Sequence, residues 1–229
     1  MPGSTLDEFA PGLWTVSAPF KVAGSEFGTR MTVIRVGSNE LILIAPCPID
    51  DALEARIRDL GSVSAVIAPN CFHYYYFLDA LKRFPDAVPF LAEGVAEKIG
   101  GAPPNARPLS GEPDPLWKAD LEQLAIPGAP KVNEVVFYHR ASRTLVLTDF
   151  CFNFNPPPKG WTGLFLRVAG AYGRLAVSRL MRSLLKDRSG LRDSVDRMLA
   201  WDFNRIIVTH GQNIESNAKQ LFREATADL

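Results

Sequence analysis

Cysteine and histidine are scarce in this chain of 229 residues, with three of each. Cys47, Cys71 and Cys151 are odd in number and widely spaced, so they make no disulfide framework and fit a reducing, cytoplasmic setting. An excess of charge of either sign is also missing. Lys and Arg total 25, Asp and Glu total 25, and the net charge is zero, which argues against a general nucleic-acid binder. No run approaches the ~20 apolar residues that cross a bilayer; the longest candidate, Leu164 to Leu185, is broken by Arg167, Arg174, Arg179 and Arg182. The segment Met1 to Trp14 carries Asp7 and Glu8 and no apolar stretch, so no secretory signal is expected. Repeats and low-complexity linkers are absent too. What remains is 47% hydrophobic and 22% charged residues, the balance of a soluble globular chain, with a length that suits one domain over 1–229.

Short strands open the chain: Leu13–Ser17, Met31–Val36 and Leu41–Ala45, the last two joined by the turn Gly37-Ser38-Asn39. A helix is expected over Asp50–Leu60, capped by Asp50, with Leu53, Ile57 and Leu60 on one face. Val63–Ala68 is a short β-branched run, hence a buried strand, and a second helix follows its loop to about Phe84. Ala87–Leu91 reads as a strand, Gly94–Ile99 as a short helix, and the proline-rich Gly100–Pro115 as a loop. Leu121–Ile126, Val132–His139 and Thr144–Thr148 read as strands, Gly163–Lys186 and Leu191–Trp201 as helices, Arg205–Thr209 as a strand, and Glu215–Ala227 as a closing helix. Early strands, then strand–helix alternation, predict mixed α/β architecture. Val63–Ala68, Thr144–Thr148 and Arg205–Thr209 are expected to be interior strands, being short, apolar and bounded by loops.

Chemistry in such folds gathers on loops at strand ends. His210 directly follows "RIIVT", Asp149 directly follows "TLVLT", and four residues separate His73 from "VSAVIA". Each has a plain structural reading: a turn cap for Asp149, a loop contact for His210, a helix-terminal residue for His73. Two imidazoles and a carboxylate at the ends of three buried strands also make the pattern of a metal or acid–base site. The three cysteines lie on loops of the same kind. They are either small buried residues or thiolates near a metal.

The order of these elements resembles the metallo-β-lactamase-like superfamily of hydrolases and oxidoreductases. "LILIAPCPID", "VIAPNCFHYYYFLDAL", "IPGAPKVNEVVFYH", "TLVLTDFCF" and "RIIVTHGQN" fall in order at the places of its five motifs. Within it the chain is more closely similar to an uncharacterised bacterial and plant family. The residues that carry this are Thr29-Arg30-Met31, Ala45-Pro46, Pro69-Asn70 with His73, Glu134 to Asp149, and Trp201 to Gly211. The resemblance implies a four-layer αβ/βα sandwich, two mixed sheets with helices outside both and a cleft at one sheet edge.

The chain departs from the superfamily's ligand pattern. Ala45-Pro46 stands where Asp-Thr is expected, Gly128-Ala129 where Gly-His is expected, and Tyr74, Tyr75 and Tyr76 fill much of the metal loop. That loop fits two registers. With Asn70 in the place of the motif's Thr, Cys71 and His73 take the first two ligand positions; with Pro69 there, Asn70 and Phe72 do. His139, at the far end of its strand, is read as structural. The donors that remain are His73, Asp149 and His210, with Cys71 as a softer fourth, and all four are expected near one another with Cys151 close by. They suffice for one divalent metal (zinc, iron or manganese) or none, not for a dinuclear centre.

From Phe150 to Lys186 there is no acid, yet there are six cations: Lys159, Arg167, Arg174, Arg179, Arg182 and Lys186. An apolar stripe of Leu166, Ala169, Ala176, Leu180 and Leu184 on one helix, with arginines on another arc, is expected here. Three functions compete. The first is a divergent metallo-hydrolase acting on a small, anionic, ester-like substrate, with Asp149 binding metal or orienting water and Tyr74 or Tyr75 donating to the substrate. The second is a non-catalytic relative that uses the cleft to bind a ligand or partner. The third is a peripheral membrane protein docking through Gly163 to Lys186.

Overall fold

Apolar runs too short for helices and rich in Val, Ile and Leu set the frame of the molecule. The computed structural model describes residues 5–22 and 24–229, the side chain of Leu180 excepted. The first four residues of the Met1 to Trp14 segment, and Leu180 of the expected stripe, lie outside that description. The first strands are β1 (Leu6–Ala10), β2 (Leu13–Ala18), a small ribbon of β3 (Lys21–Val22) and β4 (Ser25–Glu26), then β5 (Thr29–Val36) and β6 (Glu40–Ile44). Helix α1 (Asp51–Leu60) starts where Asp50 Oδ1 accepts a 2.8 Å hydrogen bond from the Leu53 amide, and buries Leu53 and Ile57. Strand β7 (Ser62–Ala68), helix α2 (Phe77–Arg83), strand β8 (Val88–Leu91), helix α3 (Val95–Lys98) and the two-residue β9 (Arg107–Pro108) follow.

These elements build a seven-stranded sheet in the order β1-β2-β5-β6-β7-β8-β9, antiparallel as far as β6 and parallel beyond it. A second sheet holds β10 (Leu121–Ala125), β11 (Val135–His139), β12 (Thr144–Leu147) and β15 (Arg205–Val208), in that order. Between β12 and β15 run β13 (Phe152–Asn153), α4 (Gly160–Ala169), β14 (Leu175–Ala176), α5 (Arg179–Leu184) and α6 (Arg188–Ala200). Helix α7 (Ala218–Thr226) closes the chain.

Side chains on a strand alternate between its two faces, and the second sheet shows the consequence. Val135, Phe137, Val146 and Ile207 pack into the core that also contains the first sheet, Leu53 and Ile57 of α1, and Phe77 and Ala80 of α2. Val136, Leu145, Leu147, Ile206 and Val208 pack instead with Leu191, Val195 and Met198 of α6 and Ala218 and Phe222 of α7. Helices, sheet, sheet, helices: this is a four-layer αβ/βα sandwich. None of the helices among the described residues is long and apolar enough to cross a membrane.

Three local expectations change. The second helix begins at Phe77, because Pro69–Tyr76 is taken up by a turn that Asn70 organises. Arg205–Val208 is the terminal strand of its sheet, hydrogen-bonded to β12 on one side and covered on the other by the two Ile206–Ile214 backbone hydrogen bonds. Gly163–Lys186 is not one helix. Gly170 ends α4 in the left-handed region at φ 73°, and β14 intervenes before α5. The outward face of α4 is apolar, not arginine-rich: Leu166 is buried while Trp161, Leu164 and Val168 are exposed.

Phe222 joins α7 to the second sheet's core, 5.7 Å from the Phe203 ring and 6.1 Å from that of Phe150. Truncating it to Ala should cost about 3–5 kcal/mol, measured by denaturant unfolding; a loss under about 1 kcal/mol would mean that α7 is not packed as described.

Candidate metal centre

Parallel pairing of β12 with β15 in the register Leu147↔Val208 ejects Asp149 and His210 side by side from adjacent strand ends. His73 arrives from the facing sheet on the turn after β7. That turn is tied to the approach to β11 by the amide of Cys71 donating to Val132 O at 2.8 Å and that of Val135 donating to Pro69 O at 2.9 Å. The result is a cluster in which one ligand atom each from His73, Asp149 and His210 lie within 4.8 Å of one another. His73 Nε2 stands 3.1 Å from Asp149 Oδ2, and His210 Nε2 stands 3.4 Å from Asp149 Oδ1.

Each of the three is held from behind. Asn70 Oδ1 accepts from the amides of Phe72 and His73, both at 2.8 Å, which fixes the turn. Its amide nitrogen donates to Asp149 Oδ2 at 2.7 Å and to Thr148 Oγ1 at 2.8 Å. Glu134, fully buried, receives the amides of Thr148 at 2.7 Å and Asp149 at 2.9 Å on its two oxygens. His210 Nδ1 lies 2.8 Å from Gly28 O. A carbonyl only accepts, so Nδ1 carries a hydrogen, and Nε2 is the nitrogen that faces Asp149. Arg30 donates from its Nη1 to Val208 O and from its Nη2 to Gly211 O at 2.8 Å, stitching the His210 loop to the first sheet. Gly211 is required there: it has φ 95°, and a Cβ would sit 2.1 Å from Asn153 O.

Electrostatics follow from two buried carboxylates and two imidazoles in one place. Burial opposes the charge of Asp149, but His73 and His210 outweigh it and hold the carboxyl well below the usual range. Burial likewise opposes charge on His73, and the Asp149 carboxylate reverses that, raising it. For Glu134, burial and then the Asp149 charge push the carboxyl from 4.5 up to about 7, against the two amides that favour ionisation.

The donor set fits one metal ion. His73 Nε2 is buried and has no hydrogen-bond partner, because its approach to Asp149 is off the line that a hydrogen bond needs. A metal-binding histidine characteristically gives its other N–H to a carbonyl, as His210 does to Gly28. Two imidazole nitrogens and one carboxylate leave positions open for water or substrate.

The other expected participants lie elsewhere. Cys71 Sγ points away, donating to Glu93 O at 3.3 Å. Cys151 is buried in the second core, where burial holds its thiol well above the ordinary value. Burial raises Cys47 to about 12. No thiolate therefore stands ready at the cluster. Tyr74 stacks on Tyr75, ring centroids 4.7 Å apart, and it is Tyr75 and Tyr76 that line the space over His73, together with Phe20, Thr29, Pro46 and Phe72. That space is about 10 Å³, room for about one water. Where Gly-His is expected, Gly128 packs its Cα against Asp187 and Ala129 is buried in the second core. His139 bonds Ser142 Oγ at 2.7 Å, at the opposite end of β11 from Glu134.

Sequence reasoning missed Asn70 as the organiser of the turn, Glu134 as the cradle of the Asp149 loop, and the aromatic roof. The rings of Phe152 and Phe27 meet the His210 ring at centroid distances of 5.1 and 6.0 Å, and Phe165 of α4 meets Phe27 at 5.5 Å. The signal for Glu134 was its acidity inside the apolar string "VNEVVF"; for the roof it was the alternation in "FCFNF".

A pH profile tests the buried carboxylates in metal-free protein. An unfolded Glu134 releases its proton near 4.5 and the folded one near 7. Its contribution to stability is therefore complete below 4.5 and lost as pH rises to about 7. Asp149 works in the opposite sense, stabilising above 3.8 and failing as pH falls below it. Melting temperatures of the chelator-treated protein should fall between pH 4.5 and 7, and Glu134→Gln should flatten that fall; an unchanged slope would place the titration elsewhere.

Known proteins of this shape carry the same frame. A metallo-β-lactamase from Pontibacter korlensis superposes with a TM-score of 0.67 at 12% identity, covering 98% of this chain and 97% of its own. The metallo-β-lactamase FIM-1 from Pseudomonas aeruginosa, in its mono-zinc form, gives 0.63 at 14% identity over 99% and 96%. DIM-1 metallo-β-lactamase exposed to ceftazidime gives 0.68 at 11% identity over 99% and 98%. At such identities the likeness is one of fold. No curated protein matches the chain. One family model does, over residues 11–162, the stretch that carries Arg30, Asn70, His73, Glu134 and Asp149: the chain belongs to the family described as a domain of unknown function, DUF4336.

Proposed function

We propose that this protein is a metallo-hydrolase-like protein that binds one divalent metal, zinc, iron or manganese, through His73, Asp149 and His210. The observation that carries this reading is the buried, partnerless Nε2 of His73 facing a carboxylate that also faces the Nε2 of His210. An ion there would polarise a substrate carbonyl or phosphoryl group and acidify water. The mono-zinc form of the FIM-1 fold relative supports a one-metal centre on this frame. In this reading Gly28 O holds His210 in one tautomer, Asn70 orients the Asp149 carboxylate, and Asp149 both binds metal and steers water. The hydroxyl of Tyr75, whose ring lines the space over His73, takes the donor role expected of Tyr74 or Tyr75. The substrate in this reading is a small, anionic ester, since the space over His73 admits about one water until the Phe20, Tyr75 and Tyr76 side chains beside it move.

The same narrow space favours a second reading, a relative that binds metal and a ligand without turnover. Metal content separates them in stages. Protein purified without an affinity tag should hold close to one metal per chain, His210→Ala should lose it, and Asn70→Ala should weaken binding by ~10–100-fold. Metal-dependent hydrolysis of 4-nitrophenyl acetate or 4-nitrophenyl phosphate, absent in His210→Ala, supports the enzyme. Stoichiometric metal without turnover favours the second reading, and no metal overturns the site.

A further inference from the structure

We infer that the outer face of α4, with the cations at its two ends, is a docking surface for an anionic lipid bilayer. Trp161, Leu164 and Val168 are 62%, 55% and 67% exposed. Their spacing places them along one stripe of the helix, while Leu166 is buried behind it and Phe165 packs on Phe27. The neighbouring ribbon, joined to α4 by the Glu26 amide donating to Thr162 Oγ1 at 3.1 Å, leaves Val22 exposed as well. Among the described residues, every other exposed large apolar side chain falls in the segment 72–78, beside His73. The exposed apolar side chains thus fall in two groups, and the group on α4 and its neighbouring ribbon is the one flanked by unpaired cations, as at interaction sites.

Charge decides the occupant. Lys159 stands at the start of α4 without a side-chain capping bond. At the other end Arg167 lies over the Tyr172 ring, 4.3 Å from its centroid, and Arg179 reaches back to donate to Val168 O at 3.2 Å. None of the six cations between residues 150 and 186 makes an ion pair among the described residues, and that stretch contains no acid. A second copy meeting this face about a two-fold axis would set like charges against one another. A bilayer of anionic headgroups meets both demands: tryptophan and leucine enter the headgroup boundary while Lys and Arg pair with phosphate or carboxylate. The inference is independent of the metal centre.

The test is co-sedimentation of the full chain with phosphatidylcholine vesicles, with and without phosphatidylglycerol. Binding should need the anionic lipid and should fall several-fold from ~0.1 M to ~1 M salt, as the Debye length shrinks from ~10 Å to ~3 Å. Trp161→Ala with Leu164→Ser and Val168→Ser, exposed positions that should leave the melting temperature unchanged, should lower partitioning about tenfold or more. Vesicles should blue-shift the tryptophan emission of the wild type, and Trp161→Phe should bind yet lose that shift. No sedimentation with either vesicle, equal binding to neutral vesicles, or a dimer in solution dispersed by the triple substitution would each overturn the proposal.

Discussion

A buried carboxylate between two imidazoles is the constraint on which the rest of the site depends. Burying Asp149 without compensation would cost several kcal/mol, and the fold spends its best-placed groups on preventing that. Asn70 donates to it, Glu134 receives the amide of its own residue, and His73 and His210 approach its two oxygens. The arrangement is still unbalanced. Two carboxylates lie close together, and His73 Nε2 is buried without an aligned hydrogen bond. A divalent cation would answer both demands at once, and that is the physical basis of the proposed metal site.

The sheets supply this geometry by register. Asp149 and His210 lie together because β12 and β15 run parallel and in step, and His73 joins them because the facing sheet ends its β7 strand at the same level. The backbone bonds from Cys71 and Val135 across the two sheets, and Arg30 bonded to both Val208 O and Gly211 O, fix the distance between the sheets. Above them the ring of Phe27 spans from His210 to Phe165 of α4. Helix α4 thus reaches the rings over His210 only through Phe165 against Phe27, while its Trp161, Leu164 and Val168 face outward.

Much of this was legible in the sequence where short β-branched runs ended in a polar residue. "TLVLTD" and "RIIVTH" each state a buried strand and what stands at its end, and parallel pairing does the rest. The unread parts have physical causes. Glu134 acts through the amides of Thr148 and Asp149, and Asn70 reaches the side chains of the same two residues, contacts that only the folded sheets create. Cys71 sits two residues before His73, but Asn70 bends the intervening chain so that the thiol meets Glu93 O instead. The long helix over Gly163–Lys186 failed because Gly170 and Gly173, both at positive φ, break it. Its expected stripe is then split among α4, which holds Leu166 and Ala169, β14, which holds Ala176, and α5, which holds Leu184.

The central claim is that one ion sits between two imidazoles and one carboxylate, with no sulfur. X-ray absorption at the zinc edge of the zinc-loaded chain tests it most directly. The account predicts a first shell of nitrogen and oxygen at ~2.0–2.2 Å, with outer-shell scattering from two imidazole rings. A sulfur shell at ~2.3 Å would bring Cys71 or Cys151 into the site and contradict the geometry. Scattering from fewer than two imidazoles, or a metal neighbour at ~3.5–4 Å, would contradict it as well.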